Sequence, residues 1–225
     1  MPQQKKPGRK KPRIKDPRRV ADHYTLKARQ EDYPARSVFK LREIDEKYHI
    51  LKNGNRVLDL GASPGSWAKY AAQKVGSGGR VIGVDLNAPE FVFTDPMRFI
   101  QADVSETAPD FLKEEGPFDL VLTDMAPKTT GHKGVDQIKS AELVMAAFQW
   151  ARVLLKPGGT FVFKVFQGNE AEGVFREIGP YFKTMRRVKP KSSRKISPEI
   201  FGVGFGFTNR HNDLFQGGGP SVGSQ

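Results

Sequence analysis

The sequence predicts a doubly wound α/β fold with a mostly parallel sheet, and three observations carry this prediction. Short apolar segments typical of buried strands alternate along the chain with segments of helical periodicity. Two such strands, residues 56–60 and 81–85, flank a helical segment at 67–75 and predict a βαβ unit with a right-handed crossover. Both strands carry an acid near the carboxyl end, Asp59 and Asp85, which is typical of a crevice for a nucleoside.

The remaining elements follow the same alternation. A helix is predicted at residues 38–50, with Ser37 as its cap, because apolar residues recur there every three to four positions. Further strands are predicted at 98–102, 118–123, 160–166 and 199–207, and further helices at 138–155 and 169–180.

The composition predicts one domain with two appendages. At 225 residues, we expect a basic disordered arm at 1–21, a folded domain at 22–207 and a flexible tail at 208–225. The absence of cysteine excludes disulfides and thiolate metal sites and fits a reducing, cytoplasmic compartment. The four histidines lack metal-ligand spacing, so no metal is expected, and no apolar run is long enough to cross a membrane.

The positive charge is concentrated in two segments. The net charge of the chain is +12, of which residues 1–36 contribute +8 and residues 183–195 contribute +7. The rest of the chain is slightly acidic, at −3. Solvated tails would explain this pattern, but two basic patches on an acidic body favour a surface that binds a polyanion, most plausibly nucleic acid.

The loop after the first strand indicates which nucleoside cofactor is bound. The sequence GASPG at 61–65 lacks the GxGxxG pattern that binds a pyrophosphate, and no Gly-Lys-Ser/Thr of a P-loop follows. A cofactor without phosphates fits better, and S-adenosylmethionine is the prediction. Asp85 would then bind the ribose hydroxyls and Asp103 the adenine amine. The predicted loop contacts are Gly61, Ser63, Pro64 and Gly65.

A second group of polar residues is expected beside that loop. In a doubly wound sheet the first strand neighbours the fourth, and the fourth neighbours the fifth. Asp124 follows the fourth strand, and Lys164 lies inside the apolar fifth strand. A strand-end lysine that reaches solvent is one interpretation. The other is a lysine whose proton affinity is lowered by burial and by a nearby cation, as a lysine base requires.

Five motifs resemble the FtsJ/RrmJ family of S-adenosylmethionine-dependent RNA ribose 2′-O-methyltransferases. They are FKL (39–41), DLGASPGSW (59–67), TDMAP (123–127), KVFQG (164–168) and SPEIFGV (197–203), and the resemblance spans about residues 33–207. It implies a Rossmann-like class I methyltransferase fold with a seven-stranded sheet. The catalytic Lys-Asp-Lys-Glu tetrad of the family falls on Lys40, Asp124, Lys164 and Glu199.

The resemblance also implies roles and partners. Lys164 would act as the general base or polarise the hydroxyl, and Asp124 would orient Lys164. Lys40 would lower the proton affinity of Lys164 and help to position the ribose, and Glu199 would pair with a lysine and fix its direction. Trp67 is either a core aromatic or a wall against the methionine part of the cofactor, and the resemblance favours the second. The closest branch is bacterial and methylates a uridine of large-subunit ribosomal RNA, which makes ribosomal RNA or the large subunit the expected partner of a monomer.

Four alternatives stay open at this point. The chain could be a non-catalytic RNA-binding or ribosome-assembly factor, although Lys40, Asp124 and Lys164 are all retained. A nicotinamide oxidoreductase would need the missing GxGxxG loop. A base amino-methyltransferase would carry an Asn/Asp-Pro-Pro-aromatic motif where this chain has DMAP at 124–127. A relative that acts on transfer RNA or on mitochondrial ribosomal RNA would differ only in its substrate.

Overall fold

The computed structural model describes residues 23–194 and 196–208, and confirms a mixed α/β fold built on one seven-stranded sheet. The strands are β1 (Arg56–Leu60), β2 (Arg80–Asp85), β3 (Met97–Gln101), β4 (Phe118–Thr123), β5 (Leu155–Phe166), β6 (Phe182–Val188) and β7 (Glu199–Phe207). The helices are α1 (His23–Gln30), α2 (Val38–Tyr48), α3 (Ser66–Val75), α4 (Phe111–Glu115), α5 (Lys133–Leu154) and α6 (Asn169–Ile178).

The strand order is β3-β2-β1-β4-β5-β7-β6. Strands β1 to β5 are parallel, and β7 runs antiparallel to both β5 and β6. The predicted adjacency of the first, fourth and fifth strands is therefore confirmed. The carboxyl ends of β1, β4 and β5 meet at one edge of the sheet, and the antiparallel β7 brings its first residue, Glu199, to that same edge, opposite Phe166.

Helices cover both faces of the sheet. Helices α1, α2 and α3 contribute to the core layer that contains Val57, Leu120 and Val162. Helices α4, α5 and α6 contribute to the opposite layer, which contains Trp150 and Phe161. Within the described part of the chain, no helix is both long and apolar enough to cross a membrane.

Several predicted ends are wrong. Strand β5 begins at Leu155 rather than at 160, and helix α6 ends at Ile178 rather than at 180. For α2 and α5, buried carboxylates explain the difference. Helix α2 ends at Tyr48 rather than at residue 50, because His49 turns left-handed (φ 51°) and the Asp45 carboxylate accepts the Leu51 N–H at 2.9 Å. Helix α5 begins at Lys133 rather than at 138. There the Asp136 carboxylate accepts the backbone N–H of Thr130 at 2.7 Å, which folds the preceding loop onto the first turn of the helix.

Three elements were not predicted individually: α1, α4 and β6. The most consequential is β6, because it occupies half of the basic segment 183–195. Its Arg187 makes a bidentate ion pair with Glu172 of α6, with one contact at 2.8 Å, and stacks on Phe175. Part of this positive charge therefore holds β6 against α6. The predicted arm at 1–21 and all but the first residue of the tail at 208–225 lie outside the described residues.

Candidate active site

The alternation of side chains along four strands aligns the predicted polar residues on one face of the sheet. Leu122, Val162 and Phe201 belong to the core layer under α2 and α3. Side chains two positions away point to the same face. Four ionisable residues therefore face this layer at the carboxyl edge of the sheet: Asp59, Asp124, Lys164 and Glu199.

The structure brings the four residues of the predicted tetrad into one ion-pair chain. Lys164 Nζ lies 2.8 Å from Asp124 Oδ1, and Lys40 Nζ lies 3.9 Å from the same oxygen. Lys40 Nζ also donates to Glu199 Oε2 at 2.8 Å. These contacts join residues up to 159 positions apart in the chain. From one end of this ion-pair chain to the other, the residues in contact are Lys164, Asp124, Lys40 and Glu199.

Lys164 is the more enclosed of the two lysines in this cluster, with 5% of its side chain exposed against 12% for Lys40. Its Nζ donates to the backbone carbonyl of Asp124 in a short contact. The Asp124 Oδ1 atom lies at ion-pair distance from Nζ, 2.8 Å, but has no hydrogen-bond partner among the described residues. A buried ammonium is stable only with such partners. The solvent-reaching interpretation of Lys164 is therefore wrong, since the side chain ends inside the site.

Glu199 is held as a carboxylate by its neighbours. Burial alone would raise its pKa, but the charge and hydrogen bond of Lys40, with help from Lys164, bring the pKa of Glu199 below its ordinary value. Lys40 reaches it from α2, and its Nζ lies 5.7 Å from the centroid of the Phe201 ring, within the range of a cation–π contact.

A cavity of about 300 Å³ opens beside this cluster, at the ends of β1, β2 and β4. Its size suits a small ligand. Five of the predicted cofactor contacts line it: Gly61, Ser63, Asp85, Asp103 and Asp124. Asp124 thus belongs both to the cavity wall and to the ion-pair chain, which places the two predicted halves of the site side by side.

The loop after β1 is shaped by its glycines and by Asp85. Gly61 (φ 78°) and Gly65 (φ 110°) have left-handed backbones, and a Cβ on them would lie 2.1 Å from Met125 Cγ and 2.5 Å from Phe91 Cε1, respectively. Asp85 Oδ2 accepts the Ser63 N–H at 3.0 Å. Asp85, at the end of β2, therefore fixes the position of the loop that follows β1.

Asp103 lies at the outer side of the cavity. Its Oδ1 accepts from the Ser105 N–H at 2.8 Å and from the Ser105 hydroxyl at 2.7 Å. These hydrogen bonds hold the pKa of Asp103 below its ordinary value. The carboxylate is thus ionised and its orientation is fixed at the cavity wall.

Three predicted cofactor contacts do not line the cavity: Pro64, Gly65 and Trp67. Trp67 is 3% exposed and packs in the core, with its ring centroid 6.0 Å from that of Phe201. Its indole N–H donates to the Ser37 carbonyl at 2.9 Å, which links α3 to the start of α2. Of the two interpretations of Trp67, this geometry favours the core aromatic, and cofactor contacts of these three residues stay predictions.

Asp59 was expected at the nucleoside crevice, but no ligand contact was predicted for it. It is 1% exposed, and its Oδ2 has no hydrogen-bond partner among the described residues. Burial, together with the charges of Asp124 and Asp85, raises the pKa of Asp59 to about 8, while the Ala68 N–H at the start of α3 opposes this shift. Asp59 is therefore a neutral acid at pH 7, beneath the site. The sequence feature that could have predicted a buried acid here is the aspartate within the apolar run VLDL at 57–60.

No group of three or more histidine, aspartate or glutamate residues within 23–194 and 196–208 has the geometry of a metal site. The charged groups that the structure brings together in the site are lysines and carboxylates. Such a set can bind a cationic ligand, orient a hydroxyl and exchange protons.

Comparison with known proteins identifies the family of this chain. The family model described as FtsJ-like methyltransferase matches residues 33–207. A protein of Oleidesulfovibrio alaskensis named ribosomal RNA large subunit methyltransferase E is 49% identical over 193 residues, covering 84% of this chain and 93% of that protein. A protein of the same name from Desulfatibacillum aliphaticivorans is 50% identical over 185 residues, covering 82% of this chain and 89% of that protein.

A solved structure from Plasmodium falciparum, titled as a ribosomal RNA methyltransferase, shares the fold. It superposes with a TM-score of 0.68 at 27% identity and covers 78% of this chain and 98% of its own. Sequence and structure thus point to one family.

Proposed function

The chain belongs to the FtsJ-like methyltransferase family, and from this premise we propose that it transfers the methyl group of S-adenosylmethionine to the ribose 2′-hydroxyl of a uridine in large-subunit ribosomal RNA. The observation that carries the proposal is Lys164, buried and paired to Asp124 at the boundary between the cavity and the Lys40–Glu199 pair. A hydroxyl placed there would meet a proton acceptor on one side and a methyl donor on the other.

The cavity fits S-adenosylmethionine better than a phosphorylated cofactor. Three carboxylates line it, from Asp85, Asp103 and Asp124. Like charges repel, so these residues disfavour phosphate groups and favour a cationic ligand. When bound, S-adenosylmethionine supplies an electrophilic methyl group on a positively charged sulfur. Asp85 and Asp103 would hold the ribose and adenine, and the backbone at Gly61 would approach the amino acid part.

The four clustered residues then divide the work on the hydroxyl. Lys164, in its neutral form, accepts the 2′-hydroxyl proton, and Asp124 fixes its direction through Oδ1 and the backbone carbonyl. Lys40 adds a second positive charge beside the same Asp124 oxygen, where it would stabilise the developing oxyanion. Glu199 holds Lys40 at 2.8 Å and keeps that charge in place.

The basic surface supports an RNA substrate. Lys183, Arg186 and Lys189 lie on or beside β6, at the edge of the sheet, where phosphate contacts can position a strand without reading its sequence. We infer that this surface and residues 1–36 bind ribosomal RNA, that the protein acts as a monomer, and that it acts in the cytoplasm where ribosomes are made.

The test is methyl transfer from labelled cofactor to large ribosomal subunits that lack 2′-O-methyl groups, with the labelled nucleotide mapped by mass spectrometry. We expect one uridine to carry the label on its 2′-oxygen, and Lys164→Ala to abolish it. Transfer RNA and mitochondrial ribosomal RNA serve as parallel substrates. Transfer to transfer RNA alone would replace the proposed substrate, and no transfer to any RNA would favour the non-catalytic alternative.

A further inference from the structure

A second cavity, of about 460 Å³, opens at the ends of β5 and β7 and the start of α5. In the order of the sheet, β4 separates these strands from β1 and β2, whose ends line the first cavity. The ion-pair chain therefore lies between the two cavities. The second cavity, which we call the Gln137 pocket, is lined by apolar side chains and by polar side chains. They include Phe166, Ile196 and Pro198 among the first, and Thr129, Lys133 and Gln137 among the second.

Hydrogen bonds join the walls of the Gln137 pocket to one another. The Gln137 side-chain amide donates through Nε2 to the Gln167 carbonyl at 2.6 Å, and the Gln167 N–H donates to the Pro198 carbonyl at 2.8 Å. The Ser140 hydroxyl accepts the Phe166 N–H at 3.0 Å. Helix α5, the end of β5 and the residue before β7 are thus held together by the protein itself, as in a preformed ligand site.

The amide of Gln137 has a fixed orientation and an unused acceptor. It packs on Gly168, where a Cβ would lie 2.5 Å from Gln137 Cδ, so only glycine leaves room for it. Its Nε2 is committed to the Gln167 carbonyl, and no described residue donates to its Oε1. A fixed acceptor selects a ligand that presents a donor. Uracil has an N3–H between two carbonyl groups, whereas N3 of cytosine carries no hydrogen.

The distance from the reacting groups fits one nucleotide. Phe166 lies two residues beyond Lys164 on β5, about 7 Å along the strand, and pairs with Glu199 across the sheet. In a nucleotide, the base is bonded to the ribose carbon next to the one that bears the 2′-hydroxyl. A hydroxyl at Lys164, with the methyl donor in the first cavity, therefore has its base within reach of the Gln137 pocket, on the side away from the donor.

We propose that the Gln137 pocket binds the uracil base of the nucleotide whose ribose is methylated. Phe166 and Pro198 contact the apolar faces of the ring, Gln137 Oε1 accepts from its N3–H, and Lys133 donates to a carbonyl oxygen. Ile196 is 92% exposed, and covering the base removes part of this apolar side chain from water. The inference rests on the proposed function for the identity of its ligand, and it makes Gln137 a residue that determines specificity.

The first experiment measures binding of two labelled RNA trinucleotides, UUU and CCC, to the full-length protein by fluorescence anisotropy. We expect the parent to bind UUU about tenfold more tightly than CCC, and Gln137→Ala to remove this preference. Ile196→Ala should instead weaken both trinucleotides about threefold and keep the preference, because it removes only apolar contact. Gln149→Ala, an exposed glutamine farther along α5, is the matched control and should bind both like the parent.

The second experiment measures methyl transfer to large subunits that lack 2′-O-methyl groups. Gln137→Ala should lower kcat/KM about tenfold, while Gln149→Ala should keep the parent value. Subunits that carry cytidine at the methylated position give the sharper measurement. The parent should prefer the uridine subunits about tenfold, and Gln137→Ala should methylate both equally slowly. A loss of pocket shape alone would lower both rates and leave the preference in place.

The outcomes separate the base pocket from the proposed function. Equal binding of UUU and CCC by the parent, or a preference for uridine that survives in Gln137→Ala, would overturn the pocket even if the parent methylates the subunits. A parent that methylates no RNA, but prefers UUU in a way that depends on Gln137, would overturn the proposed function and leave a uracil-binding site.

Discussion

The buried acid Asp59 makes a quantitative prediction about stability. Its pKa is about 8 in the folded protein and 3.8 when solvated, because burial and the charges of Asp124 and Asp85 disfavour the carboxylate. Below pH 3.8, Asp59 is protonated in both the folded and the unfolded protein, so its ionisation does not change the free energy of unfolding. Between these values the unfolded chain has lost the proton that the folded chain keeps, so the free energy of unfolding falls as pH rises.

The magnitude follows from one proton. A difference of one bound proton changes the free energy of unfolding by about 1.4 kcal/mol per pH unit. From pH 5 to pH 8, the contribution of Asp59 therefore declines by up to about 4 kcal/mol, out of a total stability on the order of 5–15 kcal/mol. Asparagine has the same shape and no charge at any pH, so Asp59→Asn removes this decline.

The assay is urea unfolding of parent and Asp59→Asn at pH 5, 6, 7 and 8, at constant ionic strength. The expected result is that the variant gains stability relative to the parent with each step, by up to about 4 kcal/mol in total. The other titrating groups cancel in this difference. Asp103→Asn is the control, because that carboxylate is exposed and already ionised across the range. A difference between parent and Asp59→Asn that stays constant from pH 5 to 8 would refute the reasoning.

The other predictions concern the site itself. Lys164→Ala should lower kcat by about 10²–10⁴-fold. The affinity for the cofactor, measured by calorimetry, should stay within a few fold of the parent value, since Lys164 does not line the cavity. A loss of cofactor affinity as large as the loss of kcat would contradict this prediction. Lys40→Met and Glu199→Gln should each lower kcat. The kcat of the double variant should equal that of Lys40→Met, because Glu199 acts through Lys40. Additive losses of kcat in the double variant would argue against this coupling. Gly65→Ala should destabilise the protein by about 1–3 kcal/mol in urea unfolding, because the φ of Gly65 is 110° and a Cβ there would clash with Phe91. Gly134→Ala is the control and should not show this loss, because a Cβ at Gly134 would have free space around it. Equal losses of stability in the two variants would contradict the strain argument.

Local sequence patterns were sufficient for the parts of the fold that depend on local physics. The strand at 118–123 matches β4 at both ends, because an apolar run between turn residues determines it. Strand order followed from general topology, and it placed Asp124 beside the Gly61 loop. The four members of the tetrad came from motif resemblance, since nothing local links Lys40 to a glutamate 159 positions away.

The features that the sequence did not reveal depend on packing over long distances. Strand β6 carries three basic residues in seven positions, so its charge hid its role in the sheet, which depends on pairing with β7 and on the contacts of Arg187. The protonation of Asp59 depends on acids at the ends of two other strands, Asp85 of β2 and Asp124 after β4. The orientation of Trp67 depends on where α2 lies, which its own segment does not specify.

The split origin of the site has a consequence in time. The walls of the cavity come from residues 61–146, whereas the ion-pair chain is complete only with Glu199. At a synthesis rate of about 5–20 residues per second, the ribosome needs roughly 3–10 s more to deliver that glutamate. A growing polypeptide therefore contains every residue that lines the cofactor cavity before it contains the complete ion-pair chain. The catalytic cluster can assemble only after the ribosome has reached β7, the last strand of the sheet to be made.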